Sequence, residues 1–147
     1  MTVPLVTGAT GFAGGHLLEH LVQHNPRVAA GGCAGGRELP AGRDQRVSWS
    51  AVDITDSEAV TRSLDQLRPS AIYHCAGIAD VHGTWAASTR ALRVNVIGTH
   101  TLLGAVERLR LDVPILVTGS ALVYGSSLDA LTEDSPLAPS SPYGGSK

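Results

Sequence analysis

The sequence of 147 residues lacks the features that mark several large classes of protein. Its two cysteines, Cys33 and Cys75, are too few for a disulfide framework and lack metal-ligand spacing, so we expect a reducing, cytoplasmic location and no metal site. No apolar run reaches the roughly 18 residues of a membrane helix, and no basic segment precedes an apolar core, so neither a membrane span nor a signal peptide is expected. Charged residues make up only 16% and the net charge is −2, which argues against a nucleic-acid partner bound through bulk positive charge.

Lysine is also scarce, because Lys147, the last residue, is the only one, and ten arginines carry the remaining positive charge. A protein that used lysine only for solubility would keep more than one, which suggests a specific role for Lys147. A composition biased towards arginine also explains the count, and on the count alone that explanation is favoured. The 17 glycines, by contrast, are plentiful and clustered, and the chain length suits one ordinary domain.

Short apolar segments alternate with amphipathic segments along the chain. Strands are predicted at residues 3–7, 28–30, 47–52, 71–75 and 114–118. Helices are predicted at 12–24, 57–68 (capped by Asp56 or Ser57) and 91–109, and loops at 31–46 and after 118. This alternation predicts an α/β fold with five parallel strands, doubly wound like a Rossmann sheet. Ligands of such sheets bind beyond the carboxyl ends of the strands.

A glycine-rich turn joins the first predicted strand to the first predicted helix. Gly8, Gly11 and Gly14 recur every three residues there, which permits a tight turn and a close approach of the backbone to a diphosphate. The helix N-terminus adds free N–H groups and the positive end of its dipole. A glycine-rich turn without a ligand is the alternative, but the position between strand and helix favours a dinucleotide. The cofactor-binding residues predicted in this turn are Gly8, Thr10, Gly11, Phe12, Ala13 and Gly14.

The end of the second strand bears on the choice between NAD and NADP. The acidic residue that binds an adenosine ribose is expected there, but the sequence has Gly31, Gly32 and Cys33. Arg37 follows and can contact a 2′-phosphate, which tilts the prediction from NAD towards NADP; a solvated loop arginine is the alternative. Asp53, after the third strand, can accept a hydrogen bond from the adenine amino group or cap the strand end.

Three polar residues near the C-terminus suggest proton chemistry. Tyr143 precedes Lys147 by four residues, a spacing that places two side chains on one face of a helix. A nearby ammonium favours a phenolate, so Tyr143 can exchange a proton with an alcohol or ketone while a nicotinamide carries the hydride. Ser120, at the end of the fifth strand, can bind the same oxygen. Taken alone, a chance Tyr-x-x-x-Lys in a loop is the better explanation of the pair.

Six motifs occur in an order that resembles one known family. They are TGATGFAG at 7–14, VDITD at 52–56, HCAG at 74–77, VNVIGT at 94–99, TGSALVYG at 118–125 and SPYGGSK at 141–147. In these the chain resembles the N-terminal part of an extended short-chain dehydrogenase/reductase, the NAD-dependent epimerase/dehydratase family that acts on nucleotide sugars. The resemblance implies a nucleotide-sugar substrate and suggests a homodimer formed through the long helices.

The resemblance also implies residue roles. It places the three glycines at the diphosphate, Asp53 and Ile54 at the adenine, and Ala76 and Gly77 beside the cofactor. It makes Ser120, Tyr143 and Lys147 catalytic, and Tyr143 and Lys147 also cofactor-binding, with Lys147 on the nicotinamide ribose. Asn95 is expected near the site, or as a buried polar residue bonded to backbone. These roles belong to residues spread over nearly the whole chain: Gly8, Gly11, Gly14, Asp53, Ile54, Ala76, Gly77, Asn95, Ser120, Tyr143 and Lys147.

Two departures from the family pattern refine the expectation. The 4,6-dehydratases carry one or two acids between the catalytic Ser/Thr and the tyrosine that closes that motif, whereas this sequence has Ala121, Leu122 and Val123, so a 4-epimerase or 4-keto reductase is favoured. Family members are about twice as long, so residues 1–147 are expected to be a truncated NAD(P)-binding domain without its substrate domain, inactive by itself. A dinucleotide-binding module without catalysis and a 4,6-dehydratase relative remain the alternatives.

Overall fold

The computed structural model describes residues 3–33, 44–79 and 88–147, and its centre is one parallel sheet. The five strands are β1 (Pro4–Thr7), β2 (Val28–Gly32), β3 (Val47–Ala51), β4 (Ala71–His74) and β5 (Ile115–Val117), in the order β3-β2-β1-β4-β5. The helical elements are α1 (Phe12–His24), α2 (Ser57–Leu67), α3 (Ser88–Leu92), a π-helical turn (Arg93–Ile97), α4 (Gly98–Arg108), a 3₁₀ turn (Ala121–Val123) and α5 (Pro142–Gly145). The predicted five-stranded Rossmann-like sheet is confirmed.

Each face of the sheet is covered by its own apolar core. Successive side chains of a strand point to opposite faces, so neighbouring residues of β1 enter different cores. Leu5 packs with Leu64 of α2 and Leu102 of α4 on one face, whereas Val6 packs with Leu18 and Val22 of α1 on the other. Helices on both faces make the sheet doubly wound, as the alternation of strands and helices predicts.

The strand order reverses next to β1. The chain runs outwards from β1 to β2 and β3, then crosses back to place β4 on the other side of β1. Thr7, the last residue of β1, pairs with Gly31 of β2 and with His74 of β4. The connections that leave β1 and β4 run to opposite faces, which opens a crevice at their carboxyl ends. This crevice positions the candidate site.

The N-terminus of α2 settles which of two predicted residues caps the helix. Asp56 Oδ1 accepts hydrogen bonds from the backbone N–H groups of Glu58 at 3.0 Å and Ala59 at 2.9 Å. These two N–H groups have no partner within the helix, so the aspartate satisfies them. Asp56 is therefore the N-cap, and Ser57 is the first helical residue.

The predicted loop at 31–46 begins too early, because Gly31 and Gly32 belong to β2. They lie in register with Ser50 and Ala51 of β3, and Gly32 is buried. Pairing across the sheet outweighs the weak intrinsic preference of glycine for strands. Arg37 lies outside the described residues.

The predicted C-terminal loop also contains short helical turns, which corrects the sequence-based prediction. Ser120 caps the 3₁₀ turn, and Ser141 caps α5 by accepting a hydrogen bond from Gly144 N at 3.0 Å. Pro142 occupies the first turn of α5, where its missing N–H costs nothing. The long helix predicted at 91–109 begins at Ser88 and contains the π-helical turn. Among all the described helices, none is long and apolar enough to cross a membrane.

Candidate functional site

The glycine turn after β1 is closed by backbone contacts that leave no room for side chains. Gly8 has a φ of +67°, and a Cβ there would lie 2.6 Å from the backbone nitrogen of Ala76. A Cβ on Gly14 would collide with the carbonyl oxygen of Gly8 and lie 2.8 Å from its carbonyl carbon. At Gly11 the distance to the Gly8 oxygen would be 3.2 Å. All three positions therefore favour glycine for steric reasons, and the backbone itself forms the surface.

Within the described residues, the first turn of α1 presents N–H groups that no capping side chain satisfies. Gly11 is the N-cap, and it makes no side-chain capping bond. The first N–H groups of a helix lack partners within it, so those of Phe12, Ala13 and Gly14 are suited to an anion. The Phe12 side chain is 86% exposed and packs edge-on against His16, with 4.7 Å between ring centroids. A contact between Phe12 and a ligand in the crevice would therefore come from its backbone.

A cavity of about 270 Å³ lies beneath the glycine turn. It extends from the ends of β1 and β4 past β2 and β3 to the start of α3. The sequence-predicted cofactor residues that line it are Gly8, Thr10, Gly11, Asp53, Ile54, Ala76 and Gly77. Phe12, Ala13 and Gly14 are not among its lining residues. The structure thus gathers residues from separate motifs around one space.

Asp53 caps the turn after β3 and also lines the cavity. Its Oδ1 accepts hydrogen bonds from the N–H of Thr55 at 2.9 Å and from the Thr55 hydroxyl at 2.8 Å. The backbone hydrogen bond from Thr55, followed by the hydroxyl bond, holds the pKa of Asp53 below its ordinary value. Asp53 therefore caps the end of the strand, as one of its two interpretations predicts. Both of these bonds are to Oδ1, so the cap is compatible with a hydrogen bond from an adenine amino group to Oδ2.

Two glycines let the cavity walls approach closely. A Cβ on Gly98, at the start of α4, would lie 2.7 Å from Cγ2 of Ile54. A Cβ on Gly77 would lie 3.0 Å from Oδ1 of Asn95 and 3.5 Å from Nζ of Lys147. Only the backbone of Gly77 therefore lies between the first cavity and the side chains of Asn95 and Lys147.

Arg90 is a cavity residue that the sequence reasoning missed. It lies in α3 and is the one positively charged side chain among the described residues that line the cavity. No motif contains it, and only the packing of α3 beside the crevice brings it to the site. A guanidinium at this position suits an anionic ligand.

A second cavity, of about 280 Å³, lies on the other side of Ala76. Lys147 lines it, and its Nζ donates a hydrogen bond to the carbonyl oxygen of Thr118 at 3.2 Å. The same Nζ lies 6.0 Å from the centroid of the Tyr143 ring. Partial burial lowers the pKa of Lys147. The ammonium and the tyrosine are therefore neighbours, although α5 ends at Gly145, before Lys147.

Ser120 is held next to the turn that carries the tyrosine. Its Oγ accepts a hydrogen bond from the N–H of Leu122 at 3.2 Å, as the cap of the 3₁₀ turn. A Cβ on Gly144 would collide with the carbonyl oxygen of Leu122, so α5 packs directly on that turn. The structure thus places Ser120 on one segment, and Tyr143 and Lys147 on the segment that packs against it.

Asn95 and His74 form a buried polar group behind these residues. Asn95 Oδ1 accepts from Ile78 N at 2.7 Å, and Nδ2 donates to Ile78 O at 3.1 Å and to Ser146 Oγ at 2.8 Å. This matches the interpretation of Asn95 as a buried residue bonded to backbone. His74 is only 1% exposed, and burial, with a smaller effect of Lys147, lowers its pKa to about 4. The motif HCAG marks the position of His74, but no sequence signal indicates these partners.

The sheet order and the glycine turn above a crevice at the reversal point together define a Rossmann-like protein. The profile of the GDP-mannose 4,6 dehydratase family matches residues 5–147. The chain belongs to the extended short-chain dehydrogenases/reductases, the NAD-dependent epimerase/dehydratase family, and corresponds to their N-terminal portion.

Relatives with different reactions are similar to this chain. The dTDP-glucose 4,6-dehydratase of Neisseria gonorrhoeae is 31% identical over 161 residues, covering 97% of this chain and 46% of the relative. The UDP-glucose 4-epimerase of Azospirillum brasilense is 33% identical over 147 residues, covering 97% and 41%. The crystal structure of Thermus thermophilus UDP-glucose 4-epimerase in complex with NAD superposes with a TM-score of 0.83 at 29% identity, covering 99% of this chain and 47% of that one. The chain thus spans about half the length of these relatives.

Proposed function

We propose that residues 1–147 form the cofactor-binding part of an NAD-dependent enzyme that acts on a nucleotide sugar by hydride transfer. The observation that carries the proposal is the backbone cradle of Gly8 and Gly14, where side chains are excluded above the cavity at the strand reversal. Such a cradle fits the diphosphate of a dinucleotide. The similarity to nucleotide-sugar epimerases and dehydratases supports the substrate class.

The residues around the first cavity fit the parts of the cofactor. The N–H groups at the start of α1 would hold the diphosphate, together with Gly8 and Thr10. Asp53 and Ile54 would contact the adenine, because they close the end of the cavity beside β3. Ala76 and Gly77 would lie beside the nicotinamide half, where the two cavities meet.

We propose NAD as the cofactor. The epimerase structure from Thermus thermophilus contains NAD, and the expectation of NADP gains no support from the comparisons. Arg37, on which that expectation rested, lies outside the described residues. Arg90 lines the cavity, and a guanidinium at this position can serve the diphosphate that both cofactors share.

Three side chains would handle the proton while the bound cofactor accepts or returns the hydride. The Tyr143 phenolate would take the proton of a sugar hydroxyl, and the Tyr143 hydroxyl would return it to the ketone oxygen in the reverse step. Lys147 would stabilise the phenolate, and its hydrogen bond to Thr118 O holds the ammonium in place. Ser120 Oγ already accepts the N–H of Leu122, which leaves its own proton available to the sugar oxygen.

We favour epimerisation or 4-keto reduction over dehydration for this enzyme. Ala121, Leu122 and Val123 form the 3₁₀ turn after Ser120, and none of them can move a proton. A 4,6-dehydratase is the second candidate, because the matching family profile and several dTDP-glucose 4,6-dehydratases among the similar proteins carry that name. Incubation of the full-length parent enzyme with UDP-glucose or dTDP-glucose, followed by NMR of the products, distinguishes a 4-epimer from a 4-keto-6-deoxy sugar.

The tyrosine separates an enzyme from a module that binds a dinucleotide without catalysis. Replacing Tyr143 with Phe removes the proton carrier but keeps the ring and its packing. In the full-length parent enzyme we expect the Tyr143→Phe variant to bind NAD normally and to lose at least about a hundredfold in turnover, the usual contribution of a general acid–base group. Turnover is measured by the nucleotide-sugar conversion described above. Unchanged turnover in the variant would show that Tyr143 is not the proton carrier.

We also propose a homodimer through the long helical segment. Leu92, Val96 and Leu103 are 43%, 43% and 42% exposed, and recur along α3, the π-helical turn and α4. Exposed apolar side chains in one stripe are typical of a protein interface. Light scattering of the wild type and of a Leu103→Arg variant tests the proposal, which requires a dimer that the substitution dissociates.

A thermal-shift titration with NAD and NADP tests the central part of the proposed function. A ligand that binds only the folded state raises its stability by about 2.7 kcal/mol at 100 times the Kd. We expect saturable stabilisation by NAD. No shift with either dinucleotide would contradict the proposed function.

A further inference from the structure

His74 lies buried between two hydroxyl groups that come from different parts of the fold. It is the last residue of β4, at the sheet end where both cavities begin. Its Nδ1 lies 2.7 Å from Oγ1 of Thr7 in β1, and its Nε2 lies 3.0 Å from Oγ1 of Thr99 in α4. Both ring nitrogens are therefore engaged, and the imidazole bridges the sheet and a helix.

Which group donates in each of these hydrogen bonds follows from the carbonyl oxygen of Asn95, which can only accept. Thr99 Oγ1 lies 2.6 Å from the carbonyl oxygen of Asn95, which can only accept, so Thr99 donates its one proton there. Thr99 must then accept from His74, which places the ring proton on Nε2 and leaves Nδ1 bare. The bare Nδ1 accepts the proton of Thr7, and the Thr7 oxygen accepts the N–H of Ala76 at 3.3 Å.

This chain of hydrogen bonds connects the wall between the two cavities with the turn that carries Tyr143, and the proposed function involves both. At one end is the amide of Ala76, in the wall between the two cavities. At the other end is Asn95, whose side chain holds Ile78 and Ser146. Ser146 Oγ in turn donates to the carbonyl oxygen of Tyr143 at 2.7 Å. His74 therefore lies midway between the segment after β4 and the turn that carries the tyrosine.

We propose that His74 is a positioning residue that, as the neutral Nε2–H tautomer, fixes the segment after β4 relative to the turn of Tyr143. It touches neither the cofactor nor the sugar; it acts through Thr7 on Ala76 and through Thr99 on Asn95. The link to NAD affinity rests on the proposed function, whereas the tautomer and the order of the segment do not.

Neither an imidazolium nor the other neutral tautomer, with its proton on Nδ1, would support the same hydrogen bonds. An imidazolium has two donors and no acceptor, so the Thr7 hydroxyl would have to turn its proton away from the ring and accept from Nδ1–H as well as from the Ala76 amide. Burial of the ring at the end of β4 opposes that charge most strongly, and the ammonium of Lys147 opposes it as well. The neighbouring side chain, Cys75, is a thiol whose own pKa is raised by burial, so it supplies no negative charge to stabilise an imidazolium. The neutral state follows from the packing of the fold.

The first test is the tautomer itself, by NMR of protein labelled with ¹⁵N in histidine. Long-range correlations between ring protons and nitrogens distinguish Nε2–H, Nδ1–H and the cation. We expect the Nε2–H form of His74 from about pH 6 to about pH 8, the range around the ordinary histidine pKa. The Nδ1–H form or a cation in that range would overturn the proposal.

The second test removes the bonds one side at a time. His74→Leu removes both, Thr99→Val removes the acceptor of Nε2–H, and His74→Asn keeps an amide oxygen near the position of Nδ1. Leaving buried polar groups unpaired should raise the Kd for NAD about tenfold in the first two variants, with partial rescue by His74→Asn. His100→Leu, at the histidine next to Thr99, is the matched control and should keep the wild-type Kd within about twofold.

Hydrogen exchange of the Ala76 amide provides a readout that does not depend on NAD. In folded His74→Leu or Thr99→Val protein we expect this amide to exchange at least about tenfold faster, while amides of α1 keep their wild-type rates. Wild-type exchange of Ala76 in the folded variants would overturn the proposal; if His74→Leu does not fold, Thr99→Val decides. Failure of wild-type protein to bind NAD would contradict the proposed function alone, since tautomer and exchange still test His74.

Discussion

Two adjacent glycines in the first turn of α1 are expected to respond in opposite ways to the same substitution. A Cβ on Gly14 meets the backbone of Gly8, which cannot move without opening the turn, whereas a Cβ on Gly15 lies at an ordinary 3.5 Å from Ala9 O. Gly14→Ala should therefore lower the free energy of unfolding and weaken NAD binding by at least about tenfold. Gly15→Ala should stabilise the helix by about 0.5–1 kcal/mol and leave NAD binding unchanged.

Urea denaturation and calorimetric titration of the two variants measure both quantities. Each variant is the control of the other, because they differ by one position and add the same methyl group. Equal effects of Gly14→Ala and Gly15→Ala on NAD affinity would contradict the steric role of the cradle.

Residue types that act through their own geometry are visible in the sequence, whereas those that act through packing are not. The need for glycine at positions 8 and 14 follows from the spacing of the turn, and the structure gives its steric reason. Arg90 and His74 could not be predicted in their roles. Arg90 reaches the cavity only because α3 lies beside it, and the partners of His74 are 67 and 25 residues away in the chain.

At the scale of elements, the cap of α2 offers a clean test. Asp56→Ala removes the acceptor of two backbone N–H groups and should lower the free energy of unfolding by about 1 kcal/mol. NAD affinity should not change, because Asp56 does not line the cavity. Asp134→Ala, at an aspartate outside any described helix, is the control and should change stability by less than about 0.5 kcal/mol. Equal stability of the two variants would remove the capping role.

Elements with a strong apolar period could be predicted closely from the sequence. The bounds of α1 agree at both ends, and α2 differs by one residue at its C-terminus. The turns near the C-terminus could not be predicted, because α5 is a single turn stabilised by the cap of Ser141 and by packing on the 3₁₀ turn. The π-helical turn that buries Asn95 leaves no periodic signal either.

For the whole molecule, His74 makes stability depend on pH. Its pKa is about 4 in the folded protein against an ordinary 6.5, so the unfolded chain binds the proton more readily. The stabilising effect of the neutral ring is complete above pH 6.5 and is lost as the pH falls towards 4, by about 3 kcal/mol in all. His74→Asn should abolish this part of the loss, and denaturation curves from about pH 4 to about pH 7.5 measure it.

The control for this pH dependence is His100→Leu, which removes an imidazole outside the buried group. Carboxylates such as Asp53, whose pKa is lowered by its bonds to Thr55, also lose stabilisation in acid, so the informative quantity is the difference between variant and wild type. Parallel curves for wild type and His74→Asn would show that the buried ring does not titrate as described.

The measurement that tests the central claim most directly is a crystal structure of this chain with NAD. We expect the diphosphate against the N–H groups of residues 12–14, with the adenine near Asp53 and the nicotinamide near Gly77. A crevice that stays empty at saturating NAD, or NAD bound elsewhere on the surface, would contradict the claim.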